Sequence, residues 1–141
     1  MNGYELQYTL QSVGESATFM EFSPDGRFLV IGGREPARLR VFDRWDGFLL
    51  AVEADTASYP TSLTFESSAT FLVGFNDGRF VEYTIDLGSK RLVKGWTNNT
   101  LRGASCVTAI ALDETSQILT LAQGPSVLVF SRISKTGAMF S

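Results

Sequence analysis

The 141-residue sequence contains no histidine. That removes histidine-based triads, histidine general bases and histidine metal ligands, the commonest routes to hydrolytic and metal-assisted chemistry. There is one cysteine, Cys106, so no internal disulfide can form, and a lone thiol suits a reducing compartment. No run of Lys or Arg is present and the net charge is −3, which gives nucleic acid and anionic membranes no electrostatic footing. No apolar segment approaches the roughly 20 residues of a membrane helix. The first residues, Met1 to Gln11, show neither a basic patch nor the apolar core of a secretion signal. What the chain does have is aromatic residues: eleven Phe and four Tyr, with thirteen Gly between them. Large aromatic side chains fit a pleated, half-buried surface, and the overall 44% of hydrophobic residues is enough for a sizeable core.

Those residues recur in a pattern. The stretch at Phe19, FMEFSPDGRFLVIGG, aligns with SLTFESSATFLVGFN at Ser62 and AIALDETSQILTLAQ at Ala109. Phe22, Phe65 and Leu112 coincide, as do Phe28, Phe71 and Ile118. Each copy reads as an apolar strand, a polar turn and a second apolar strand. A third strand follows in each, LRVFD at Leu39, FVEYT at Phe80 and VLVFS at Val127, with Phe42, Tyr83 and Phe130 as anchors. Phe22 to Phe65 spans 43 residues and Phe65 to Leu112 spans 47, close to the roughly 40–45 residues of a four-stranded propeller blade. The turns have their own chemistry. Pro24 presets φ and Gly26 supplies a positive φ in Ser23-Pro24-Asp25-Gly26; Asn76-Asp77-Gly78 and Gly124-Pro125 punctuate the later hairpins.

A fourth strand is predicted at Gly47–Val52 and at Arg91–Trp96. The segment Tyr4–Leu10 also reads as a strand, unassigned to the first copy. The expectation is therefore an all-β fold of three four-stranded antiparallel blades, roughly 17–53, 61–97 and 106–131, with strand 4–10 completing the terminal blade, all within one unit of residues 1–141.

On these residues the chain resembles the WD40-repeat family. Phe22-Ser23-Pro24-Asp25-Gly26 with Phe28-Leu29 is similar to that family's hairpin, and Val41-Phe42-Asp43 with Gly47-Phe48-Leu49-Leu50 is similar to its Trp-Asp step. The resemblance covers nearly the whole chain and is specific in the first copy. Tyr83-Thr84 and Phe130-Ser131 stand where Trp-Asp would be, and Gly-His is absent throughout. The family's His–Asp support of each blade therefore cannot form, and blade stability falls to apolar packing. The resemblance implies propeller blades and a protein-interaction role.

The repeated aromatics Phe22, Phe28, Phe42, Phe65, Phe71, Tyr83 and Phe130 are read as core. Asp43 is read as a structural acceptor of backbone hydrogen bonds in its turn. Trp45 and Trp96 do not fall at equivalent places, which counts against the alternative reading, a carbohydrate-binding propeller with one stacking aromatic per blade. Propeller partners dock on loops at one end of the blades. Here those loops supply Arg34, Glu35, Arg38, Tyr59, Phe75, Asn76, Arg102 and Gln123 as candidate contacts, Arg and Tyr being favoured in hot spots. No catalytic set, metal site or cofactor is expected.

Three blades are too few to close a propeller, whose usual range is 4–8. Either the blades belong to a longer protein or chains associate. The strand count favours association, and two copies give a six-blade ring. The expectation is a non-enzymatic, cytoplasmic scaffold that forms a homodimer.

Overall fold

The computed structural model describes residues 3–7, 9–10, 16–98, 105–113, 115 and 117–132. Its strands are β1 (Ala17–Phe22), β2 (Phe28–Arg34), β3 (Ala37–Asp43), β4 (Leu49–Asp55), β5 (Pro60–Phe65), β6 (Thr70–Phe75), β7 (Phe80–Asp86), β8 (Arg91–Asn98), β9 (Val107–Asp113), β10 (Ile118–Gln123) and β11 (Ser126–Ser131). They form three antiparallel meanders, β1-β2-β3-β4, β5-β6-β7-β8 and β9-β10-β11. A 3₁₀ turn, Arg44–Asp46, lies between β3 and β4. The first strands of the sheets, β1, β5 and β9, stand side by side, and the sheets stack face to face in chain order.

The hairpins close as their residues require. Gly26, Gly78 and Gly124 have φ of 75°, 92° and 58°, conformations that glycine adopts without strain. In the first hairpin Ser23 also caps the turn, accepting from the Phe28 amide at 2.9 Å and donating to Asp25 at 2.6 Å.

Register fixes which positions correspond. Phe22 pairs with Leu29, Phe65 with Phe71 and Leu112 with Leu119; those partners in turn pair with Phe42, Tyr83 and Phe130. The equivalent of Phe71 is therefore Leu29, not Phe28, and Leu119, not Ile118. The first and third hairpins carry one more turn residue than the second. Because side chains alternate between faces, this offset sends Phe28 to the opposite face from Phe71.

Two clusters join the sheets. Phe28, Val30, Leu39, Val41 and Val52 of the first sheet pack against Phe65, Phe71, Val73, Phe75, Val81, Tyr83 and Ile85 of the second. Leu72 and Phe80, on the other face of the second sheet, pack against Val107, Leu119 and Leu121 of the third. Phe22 departs from the expected core: it is 47% exposed. It shares with Leu29 the face of the first sheet that looks away from the other two.

The expected N-terminal strand is also corrected. Among the described residues 3–7 and 9–10 there is no strand, and Tyr4 and Leu6 are exposed. Leu10 packs instead on Leu29, Ile31 and Phe42. That apolar face is the nearest one available, whereas the third sheet lies across the second. The third sheet accordingly has three strands among the described residues.

Candidate partner-binding face

Alternation of the strands brings the β2–β3, β4–β5, β6–β7 and β10–β11 loops to one end of the stack. Arg34, the last residue of β2, is exposed and lays its guanidinium over the Tyr59 ring at 4.8 Å. Tyr59 is in turn anchored by its carbonyl, which accepts from the Asn76 amide at 3.0 Å. Three candidates from three separate loops thus meet across the first seam. A cation stacked on an aromatic ring is pre-oriented, so less entropy is lost when its free edge binds an acceptor. Glu35, also exposed, precedes Pro36 through a cis peptide bond beside this cluster.

The remaining candidates are placed differently. Arg38 is engaged by Glu53 at 3.3 Å and Asp55 at 3.2 Å, clamping β3 to β4. Phe75 is buried in the core between the first two sheets, with Arg79 over its ring at 5.2 Å. Gln123 is buried too; it donates to the Ser105 carbonyl at 2.8 Å and the Gly78 carbonyl at 3.4 Å, tying the third sheet to the second. Both therefore hold the loops in place. Arg102 lies outside the described residues.

The opposite end carries clusters that the sequence did not announce. Arg27 grips Asp43 through two hydrogen bonds of 3.2 and 3.0 Å and lies over Phe28 at 4.8 Å and Trp45 at 5.2 Å. Asp43 also accepts from the Trp45 amide at 3.1 Å, the structural role expected of it. The Arg27 hydrogen bonds hold the Asp43 carboxyl below the usual carboxylate range. At the second seam Glu66 pairs with Arg132 and lies near Glu82. Burial, and then the neighbouring Glu82, raise its pKa to about 7. The signal for Arg27 was its place directly after the turn glycine. Nothing local in the sequence pairs Glu66 with Arg132, which are brought together by sheet stacking alone.

The described surface also carries open hollows. One, of about 540 Å³, is lined by Arg27, Phe28, Ile85 and Asp86 beside the first seam. Another, of about 450 Å³, lies where Phe22, Leu63 and Ile110 of the three inner strands converge. Among the described residues no three potential ligands cluster for a metal ion, and no helix is long and apolar enough to cross a membrane.

No family model and no curated protein matches this sequence. Solved structures do match. Sqt1 from Saccharomyces cerevisiae aligns with a TM-score of 0.69 and 19% identity over 86% of this chain and 35% of its own. Sqt1 from Chaetomium thermophilum, solved bound to the N-terminus of the ribosomal protein L10, aligns at 0.67 and 16% identity over 87% and 34%. The C-terminal WD40 domain of Sif2 aligns at 0.63 and 10% identity over 79% and 32%. The fold is that of WD40-type propeller blades. The chain spans about a third of the length of each of these structures.

Proposed function

We propose that this chain is a non-enzymatic interaction module. Its three sheets act as the blades of one WD40-like unit over residues 1–141, completed to a six-blade ring by a second copy. The observation that carries the interaction role is the Arg34–Tyr59–Asn76 cluster, a stacked cation held by loops of two neighbouring sheets. Among the described residues no carboxylate pairs with Arg34, so its natural complement is an acidic side chain or a chain-terminal carboxylate of a protein segment. The similar Sqt1 structure, which holds a protein N-terminus, supports a protein segment as ligand. The compartment in this reading is the cytoplasm, where a thiol such as Cys106 stays reduced.

The test is affinity capture with the wild-type protein and with Arg34→Glu and Tyr59→Ala variants, each checked for an unchanged urea midpoint. A protein captured by wild type and lost from both folded variants supports the reading. Identical captured sets would overturn the assignment of this face.

A further inference from the structure

Each sheet's first strand contains a one-residue bulge, and in each the extra residue is a threonine. Ala17 pairs with Gly33 and Phe19 with Gly32, leaving Thr18 over; Pro60 pairs with Phe75 and Ser62 with Gly74, leaving Thr61; Val107 pairs with Gln123 and Ala109 with Ala122, leaving Thr108. A bulge re-aims the side chain of its extra residue. Here the hydroxyl reaches the next sheet. Thr18 donates to the Pro60 carbonyl at 2.7 Å, and Thr61 donates to the Val107 carbonyl. The rule is the same at both seams: the bulge threonine donates to the carbonyl just before the next bulge threonine.

Thr108 is the third member and stands on the outer face of the third sheet, exposed. Within its own sheet it repeats its predecessor. Thr61 shares its hydroxyl with the Gly74 carbonyl at 3.1 Å, and Thr108 lies 3.3 Å from the equivalent Ala122 carbonyl. The cross-sheet half of the pattern has no acceptor among the described residues. By the same rule its acceptor is the carbonyl before Thr18, that of Ala17.

We propose that Thr108 latches a head-to-tail joint by donating to the Ala17 carbonyl of a second copy, an inference that rests on the homodimeric reading above. The two ends of the pattern are complementary, which supports a second copy as occupant: among the described residues Thr108 on the third sheet is the donor left over and the Ala17 carbonyl on the first is the acceptor left over. At the second seam Val107 comes so close to Gly74 that an added Cβ there would lie 2.5 Å from its Cγ1. Across the joint the equivalent pair is Ala17 beside Ala122; since Val107 Cβ itself would lie 2.6 Å from a Cβ added at Gly74, two alanines meet there only with the sheets set slightly further apart than at the second seam. The surrounding surfaces are apolar on both sides, Val127 and Val129 on the third sheet and Met20 and Phe22 on the first, all of them exposed, with Leu10, packed on Leu29, Ile31 and Phe42 of the same face, forming part of the first sheet's joint surface. Two copies joined this way make two identical joints in a closed ring.

The test is the dissociation constant of self-association, measured by light scattering over a dilution series for wild type, Thr108→Val, Thr108→Ser and Ala122→Phe. Circular dichroism checks that each variant is folded. Thr108→Val keeps the shape and removes the hydroxyl. With one hydrogen bond lost at each of two joints, its dissociation constant rises roughly 5- to 150-fold. Thr108→Ser restores near-wild-type association, and Ala122→Phe abolishes it by blocking the approach of Ala17. A folded Thr108→Val with wild-type association, while Ala122→Phe dissociates, overturns the latch and leaves the joint standing. Unchanged association in both variants overturns the joint as placed. A wild-type protein that stays monomeric throughout overturns the homodimeric reading itself.

Discussion

The two seams between the sheets are built from different materials. The first is sealed by bulk: Phe28, Phe65, Phe71, Phe75 and Tyr83 meet in one apolar cluster, with Phe71 tilted against Phe65 at 5.4 Å and Tyr83 at 5.9 Å. The second has a smaller apolar cluster and adds position-specific contacts. Phe80 meets Phe130 edge-on at 5.4 Å, Val107 nests over Gly74, and Glu66 reaches Arg132 from a partly buried site. Bulk gives stability without fixing the offset between sheets, since apolar contact is non-directional. Hydrogen bonds, close approaches and paired charges fix that offset and are sensitive to single atoms and to pH. Both seams share one directional element, the bulge threonine.

Removing bulk from the first seam has the largest expected effect. Phe71→Ala should lower stability by about 3–5 kcal/mol, the range for emptying a fully buried aromatic site. A loss below about 1 kcal/mol in urea titration would show that the cluster is loosely packed. Next is the directional element: Thr61→Val should cost about 0.5–1.5 kcal/mol, the net value of a hydrogen bond, plus whatever an unsatisfied Val107 carbonyl adds. An unchanged midpoint would mean that the latch contributes no net stability.

The smallest effect is the most selective. Glu66 holds its proton more tightly in the folded chain, near pH 7, than its ordinary 4.5. A raised carboxyl pKa means that the folded state binds the extra proton between these values. This contribution is complete below about pH 4.5 and is lost as pH rises through 7. Glu66→Gln should flatten the stability–pH profile across that window, with the variant gaining on wild type at alkaline pH. Parallel profiles for the two proteins would place the titration elsewhere.

The sequence made the hairpins legible because turn chemistry is local. Pro24, Gly26 and Gly78 announce themselves, and the glycines have the positive φ their turns need. The anchors Phe42, Tyr83 and Phe130 were legible for the same reason, as all three lie at matching registers. The one-residue offset at Phe28 was not, since turn length alters the face of every following residue without altering composition. Gln123 and Phe75 looked like loop contacts because exposure of a strand end depends on the neighbouring sheet. Leu10 read as a strand residue because alternation cannot say which apolar face a segment will find. The bulge threonines were hidden for a similar reason: threonine is common in strands, and only the pairing shows that Thr18, Thr61 and Thr108 are the residues left over. At the candidate face, Arg34, Tyr59 and Asn76 were legible as loop residues; that they touch one another was not.

The proposed assembly requires the outer faces of the first and third sheets to meet in a second copy. Light scattering on a size-exclusion column at low micromolar concentration decides this directly. The expected result is one folded species of twice the 15.5 kDa chain mass, with an unfolding midpoint that rises with protein concentration. A stable, folded 15.5 kDa species with a concentration-independent midpoint would contradict it.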